Sequence, residues 1–125
     1  MIGLVLAGNV SQAIATAVEL ELPQALSGGP LAADELAERC GANERQLARL
    51  MRVLTAFGVF ARADDERYEL TPIGATLLAE EEDGHSVAGL ALFAGSARLL
   101  EARGALTQSV RSVASGFRCA HGTDL

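Results

Sequence analysis

The sequence predicts a mainly α-helical domain built on a winged helix-turn-helix with a small β-hairpin, with additional helices around it. Three observations predict this class. Apolar residues recur at three- and four-residue steps, two short strand-like runs flank a polar turn, and capping residues begin several of the helical segments. A chain of 125 residues and 13.0 kDa has the size of one domain, and 50% of its residues are hydrophobic, so one core is expected.

Composition excludes several classes of protein. The net charge is −6 and the sequence pI is about 4.8, so the field of the whole molecule repels nucleic acid and anionic membranes. No apolar run approaches the roughly 18 residues of a membrane-spanning helix, and residues 1–6 are too short and uncharged for a secretory leader. Cys40 and Cys119 belong to no Cys/His motif, so reduced thiols and a cytoplasmic location are expected.

The first helix is predicted over residues 4–20. Its other positions carry Gly, Ser, Gln, Thr and Asn instead of a charged face, so a second side of this helix is expected to be buried as well. Pro23 and the Ser-Gly-Gly-Pro turn at residues 27–30 then interrupt the chain. The apolar stripe consists of Leu6, Val10, Ala13, Ile14, Ala17 and Val18.

Two helices with clear ends follow. Ala33–Cys40 begins with acidic residues in its first turn and stops before Gly41. Asn43 and Gln46 have the spacing of a capping box, which opens a second helix, and Gly58 is expected to end it in the left-handed conformation. The apolar stripe of this second helix consists of Leu47, Leu50, Met51, Leu54 and Phe57.

A β-hairpin and a further helix complete the winged unit. Residues 59–62 and Arg67–Leu70 are strand-like runs joined by the polar residues 63–66. Thr71 has the position of an N-cap and Pro72 that of the first helical residue, where its missing amide costs nothing. Helix, helix, hairpin and helix in this order define a winged helix-turn-helix.

A second helical region follows an acidic run at residues 80–83. Ser86 is predicted to cap a short helix over residues 87–93, and a longer helix is predicted over residues 97–111. The apolar members of the longer helix are Leu99, Leu100, Leu106 and Val110.

Six short segments, in this order and spacing, resemble one family. They are residues 17–20 (AVEL), 33–37 (ADELA), 47–54 (LARLMRVL), 57–60 (FGVF), 68–74 (YELTPIG) and 106–110 (LTQSV). Together they resemble the N-terminal dimerisation region of S-adenosylmethionine-dependent small-molecule O-methyltransferases, especially the bacterial enzymes that tailor natural products. Two positions depart from the family pattern: Arg103 stands where a Trp is common, and Val113 stands where a Gly would follow Ser112.

The resemblance implies a role in a larger enzyme. In that family the region precedes a Rossmann-like catalytic domain, interlocks two subunits and helps to wall the pocket of the acceptor substrate. It implies a homodimer, a small aromatic or polyketide-like acceptor, and S-adenosylmethionine in a full-length relative. Residues 1–112 are expected to form this domain. Residues 113–125 do not look like a folded element and are expected to connect to a catalytic domain that this chain lacks.

No cofactor site is assigned to these 125 residues. A Rossmann-like fold holds S-adenosylmethionine with a glycine loop of the form Gly-x-Gly-x-Gly after a strand, followed by an acidic residue. The sequence contains no such loop. The chain alone is therefore not expected to methylate an acceptor substrate, and no catalytic or metal-binding residue is assigned to it.

Two groups of residues are the candidates for function. Apolar walls with one or two polar groups suit an aromatic ligand, although packing against a partner subunit explains the same residues equally well. The substrate-lid candidates are Phe93, Ser96, Leu99, Leu100 and Arg103. The dimer-interface candidates are Val10, Ile14, Val18, Leu106 and Val110.

Two other functions stay open at this point. Arg45, Arg49 and Arg52 occupy the position of a recognition helix, which is the pattern of a DNA-binding winged-helix regulator, although a solvated outer face explains them as well. A stand-alone small-molecule-binding homologue is the other alternative. His85 and His121 have no Cys, His or paired carboxylate at ligand spacing, so neither is expected to bind a metal.

Overall fold

The computed structural model describes residues 1–78 and 86–123, and these contain ten helices and three strands. The helices are α1 (Ile2–Val5), α2 (Ala7–Glu19), α3 (Leu22–Leu26), α4 (Ala33–Cys40), α5 (Glu44–Ala56), α6 (Pro72–Ala75), α7 (Val87–Ala94), α8 (Ala97–Gly104), α9 (Leu106–Arg111) and α10 (Gly116–His121). The strands are β1 (Leu31–Ala32), β2 (Phe60–Arg62) and β3 (Arg67–Leu70). The mainly α-helical winged fold predicted from the sequence is confirmed.

Helices α2, α3, α4 and α5 and the sheet share one hydrophobic core. Helix α5 buries Leu47, Met51 and Leu54, three members of its predicted stripe, whereas Phe57 lies at the end of the helix and is exposed. Each buried aliphatic side chain contributes about 1.5–3 kcal/mol, so this cluster is the main source of stability for the winged unit. The largest fully buried side chains are Phe60, Leu22, Leu36, Met51, Leu54 and Pro23.

The sheet is antiparallel and has the strand order β1-β3-β2. In the predicted hairpin, Phe60 lies opposite Leu70 and Arg62 opposite Tyr68. Strand β1 is an addition that the sequence did not predict. Its Leu31 pairs with Tyr68, and both side chains are buried at the edge of the core.

Several predicted caps are present. Asn43 Oδ1 accepts a hydrogen bond from the backbone N–H of Gln46 at 3.1 Å, and Gly58 is left-handed with φ 78°. Thr71 Oγ1 accepts from the Gly74 amide at 3.0 Å and donates to the carbonyl oxygen of Val59 at 2.8 Å. This hydroxyl therefore fixes the start of α6 to the beginning of the hairpin, as well as capping the helix.

Two predicted long helices are each divided in the structure. The helix predicted over residues 4–20 is α1 and α2, with Leu6 between them at ψ 0°. The helix predicted over residues 97–111 is α8 and α9, separated by Ala105 at φ −89°, ψ 8°. Gly104 immediately precedes this second break, and glycine is a poor residue for continuing a helix.

The expectation that residues after Ser112 form no folded element is wrong. Helix α10 lies there, Ser115 Oγ accepts from the Arg118 amide at 3.1 Å, and Gly122 ends the helix at φ 75°. Phe117 is 8% exposed and anchors α10, which packs against α8. With one apolar anchor in six residues, the helix depends on this contact and not on a periodic stripe.

Helix α7 packs against α2 at close range. A side chain at Gly95, just after α7, would meet the Cβ of Ala15 on α2. The absence of a side chain at this position therefore permits the close approach.

Within the described ranges, no helix is long and apolar enough to cross a membrane.

Candidate functional site

Helix α7 exposes large apolar side chains. Its sequence, Val-Ala-Gly-Leu-Ala-Leu-Phe-Ala, contains no charged or polar residue, yet none of its residues is buried. Leu90 is 66% exposed and Phe93 48% exposed, whereas its alanines are half-buried. A helix that is apolar on all sides is normally enclosed by protein, so the outer side of α7 has the character of an interface.

Helix α1 adds to this uncovered surface. It has no buried residue, and the apolar side chains of Ile2, Leu4 and Val5 are all exposed. The chain exposes 8168 Å², whereas a compact monomer of 13.0 kDa exposes about 6,300 Å². The difference is roughly 1,800 Å², which lies within the range of about 1,000–2,500 Å² that each copy contributes to a large obligate interface.

The predicted dimer-interface residues occupy two environments. On α2, Val10 is half-buried, and Ile14 and Val18 pack against the core of their own chain. On α9, Leu106 and Val110 are exposed, Val110 by 78%. No residue of α1 or α7 was among the dimer-interface candidates, and Phe93, a substrate-lid candidate, was the one residue of α7 that was selected. The lack of charge in both segments was the sequence signal that could have identified them.

The structure brings three of the five substrate-lid candidates together in one pocket. Phe93, Ser96 and Leu99 line a cavity of about 270 Å³, whereas Leu100 and Arg103 are exposed and are not among its lining residues. The pocket lies where the end of α7, the start of α8 and α10 meet, and it is mainly apolar. The complete lining is Phe93, Ser96, Ala97, Arg98, Leu99 and Phe117.

Contacts between α8 and α10 hold one wall of this pocket. His121 Nε2 is 2.8 Å from the carbonyl oxygen of Arg98, and His121 Nδ1 is 3.4 Å from a carboxylate oxygen of Glu101. The rings of His121 and Phe117 are 4.6 Å apart, and the Arg98 guanidinium lies 5.2 Å from the Phe117 ring centre. Sequence reasoning missed three pocket residues, Ala97, Arg98 and Phe117. For α10, the available sequence signal was the cap residue Ser115 at its start and Gly122 at its end.

The three arginines of the predicted recognition helix also lie together. Arg45, Arg49 and Arg52 line a groove of about 510 Å³ along α5, with Gln46 and Ala48 between them. Over residues 1–78 and 86–123, none of the three forms an ion pair. All the lining residues belong to one helix, so the groove is a property of the outer face of α5.

Neither cysteine is placed for nucleophilic chemistry by its surroundings. Burial raises the pKa of the Cys40 thiol, the charge of Glu21 raises it further, and Arg39 acts in the opposite direction. The Cys40 thiol is therefore held in its protonated, unreactive form. Cys119 Sγ lies 3.9 Å from Ser112 Oγ, and both cysteines are free.

The described part of the chain offers no group of three or more His, Cys, Asp and Glu side chains that could hold a metal ion. His85 and the acidic run at residues 80–83 lie outside the described residues.

The described residues do not fit S-adenosylmethionine either. Their strands pair antiparallel and are two to four residues long, and they include neither a crossover between parallel strands nor a glycine loop leading into a helix. A dinucleotide-type fold needs both features to place amide groups around its ligand.

Comparison with known proteins identifies relatives of the whole chain. The family model of the O-methyltransferase dimerisation domain matches residues 3–80. The mitomycin biosynthesis 6-O-methyltransferase of Streptomyces lavendulae is 38% identical over 114 residues, which cover 90% of this chain and 32% of that protein. The chain therefore spans about a third of the length of this relative.

Solved structures share the fold. The mitomycin 7-O-methyltransferase MmcR superposes with a TM-score of 0.85 at 35% identity, covering 97% of this chain and 35% of that one. The SAH-bound form of CalO1, a methyltransferase in calicheamicin biosynthesis, superposes with a TM-score of 0.80 at 21% identity. The match covers 96% of this chain and 35% of the CalO1 chain. The chain belongs to the O-methyltransferase dimerisation domain family.

Proposed function

We propose that this chain is the dimerisation and substrate-lid module of an S-adenosylmethionine-dependent O-methyltransferase of natural-product tailoring type, and that it forms a homodimer in the cytoplasm. The module is not catalytic alone, because the described residues do not fit the cofactor. Residues 113–125 lead from the module toward the catalytic domain, with α10 forming part of this connection. The biosynthetic methyltransferases among the relatives support this role.

The observation that carries the proposal is the uncovered apolar surface of α1 and α7. Exposed apolar patches of this kind mark interaction surfaces. On α9, Leu106 and Val110 are further exposed apolar residues. A second copy of the chain is the occupant that we propose, because the excess area matches what one subunit contributes to a large symmetric interface.

The pocket between α7, α8 and α10 supports the lid role. Its apolar lining includes the two aromatic rings of Phe93 and Phe117, a composition typical of sites for small organic ligands. At about 270 Å³ it lies near the lower limit of ligand sites, so it would cover only part of an acceptor. The remaining walls would belong to the catalytic domain.

Light scattering coupled to size exclusion tests the dimer. The 125-residue chain is expected at twice its mass of 13.0 kDa. Leu90→Glu places a charge on the outer side of α7 and is expected to shift the population toward monomer or aggregate, because the charge would be buried unpaired in the interface. Ile73→Glu is the matched control, because Ile73 on α6 is 65% exposed, almost as much as Leu90.

The control variant is expected to keep the dimer. A monodisperse monomer for the wild-type chain at micromolar concentration would overturn the proposal. A dimer that persists in Leu90→Glu would show that the interface lies elsewhere than α7.

A further inference from the structure

The pocket between α7, α8 and α10 carries one positive charge at its wall. Arg98 is the cationic member of the lining, and its guanidinium rests over the Phe117 ring at 5.2 Å. Across residues 1–78 and 86–123, no carboxylate is within ion-pair distance of this guanidinium. Glu101, one turn further along α8, has its carboxylate near His121 instead.

The main chain of Arg98 is anchored to α10, whereas its side chain is exposed and has one ring contact. The Arg98 carbonyl oxygen is 2.8 Å from His121 Nε2, so this bond ties α8 to α10 at the pocket wall. The cation–π contact with Phe117 restricts the side chain further. A guanidinium held in this way, with no carboxylate beside it, presents planar N–H donors that match the two oxygens of a carboxylate.

The remaining walls specify the rest of the ligand. Phe93 and Phe117 provide ring surfaces, and Leu99 and Ala97 provide aliphatic ones. Such a lining favours a flat apolar body. The Ser96 hydroxyl accepts a hydrogen bond from the Leu99 amide at 3.4 Å and keeps its own O–H as a donor. The pocket therefore combines an apolar, ring-lined interior with a single cation.

We propose that this pocket receives a planar aromatic acceptor carrying an anionic oxygen group, a carboxylate or phenolate, and that Arg98 pairs with this group. The inference rests on the proposed lid role of the same pocket, and it adds the charge of the acceptor and the residue that recognises this charge. Arg98 is thus a residue that determines specificity by selecting anionic over neutral aromatic molecules, and it takes no part in methyl transfer.

Calorimetric titration of the 125-residue chain with 2-naphthoate and with the neutral 2-naphthamide tests the proposal. The naphthoate is expected to bind about tenfold more tightly than the naphthamide. This preference is smaller than that of a buried charge-assisted pair, because water screens the charges at a partly exposed site. Arg98→Gln is expected to reduce this ratio to about one while leaving naphthamide affinity unchanged. Arg98→Lys keeps the charge and is expected to retain part of the preference.

Arg103→Gln is the matched control. It removes the same charge from the same helix, but Arg103 is not among the lining residues, so the tenfold ratio is expected to persist. Equal binding of both probes by the wild-type chain, or a preference that survives Arg98→Gln, would overturn the role of Arg98 while leaving the pocket as an aromatic site. Binding of neither probe would overturn the pocket as a ligand site.

Light scattering on the same samples separates the two proposals. A dimer that shows no anion preference contradicts this inference alone. A monomer that shows the preference contradicts the proposed dimer alone.

Discussion

At the scale of single residues, Asp64 organises the turn of the hairpin. Its carboxylate accepts hydrogen bonds from the backbone amides of Glu66 and Arg67, each at 2.9 Å, and from Arg67 Nε at 2.6 Å. The amide of Glu66 first, and then the side chain and amide of Arg67, lower the pKa of Asp64 below its ordinary value of 3.8. The charged carboxylate is therefore the form that stabilises the turn.

The effect of pH follows from the sign of this pKa shift. A group whose folded pKa is lowered contributes stability above its unfolded pKa and loses it as the pH falls through the folded pKa. Asp64→Asn is expected to be less stable than wild type at pH 7, with a difference that shrinks below pH 3.8. Urea unfolding of both proteins between about pH 7 and pH 3 measures the difference.

Asp65→Asn is the control for this prediction. It removes a neighbouring charge without removing the hydrogen bonds of Asp64, so its difference from wild type is expected to be smaller at pH 7. A constant difference between Asp64→Asn and wild type across the whole pH range would contradict the assignment.

The pocket shows which single residues a sequence can reveal. Phe93, Ser96 and Leu99 could be selected because the family resemblance places the substrate lid in this part of the chain, from the end of one predicted helix to the start of the next. Arg98 and Phe117 could not be selected in the same way. Their role depends on the packing of α10 against α8, and no periodic pattern in the six residues of α10 marks that contact.

At the scale of elements, α6 packs closely against the start of the hairpin. A side chain at Gly74 would meet the backbone carbonyl of Val59. The Thr71 hydroxyl holds the same two segments together. The start of α6 therefore has room for hydrogen at this position and for no larger group.

Gly74→Ala is expected to destabilise the chain by about 1–3 kcal/mol, because the added methyl group must displace backbone. Gly104→Ala is the matched control. Gly104 ends α8 with no neighbouring atom within 4 Å of an added Cβ, so alanine there is expected to be neutral or stabilising by up to about 1 kcal/mol. Urea unfolding midpoints measure both effects, and a similar midpoint for the two variants would contradict the proposed contact.

Elements with local signals were predictable from the sequence, and those that depend on distant partners were not. The starts of α5, α6 and α7 have side-chain caps that can be read from residue types and spacing. Strand β1 is two residues long and follows Pro30, so neither alternation nor length identifies it. Its existence depends on pairing with Tyr68, more than thirty residues away in the chain.

At the scale of the whole molecule, the distribution of charge opposes a role in binding DNA. The groove of Arg45, Arg49 and Arg52 is basic, but the chain as a whole carries a net charge of −6. Domains that bind DNA generally have a pI above about 9, whereas this sequence has a pI of about 4.8. The long-range field therefore repels the phosphate backbone that the groove would have to contact.

The purified chain is therefore expected not to retain duplex DNA at about 0.1 M salt, and the double change Arg49→Glu and Arg52→Glu is expected to leave this result unchanged. Fluorescence anisotropy with a labelled duplex measures binding. Arg111→Glu combined with Arg118→Glu provides the same charge change away from α5. Salt-dependent binding that is lost only in the α5 variant would favour the winged-helix regulator.

The glycine after α7 has a consequence for how the molecule could evolve. Because Gly95 leaves only a hydrogen atom between the end of α7 and Ala15, it permits the close approach of α7, which carries Phe93, to α2. Substitution of Gly95 would force α7 and α2 apart by about 1 Å or more, to bring the added Cβ and Ala15 to ordinary van der Waals contact. One small position outside the pocket can therefore change where Phe93 is located without altering any residue that lines the pocket.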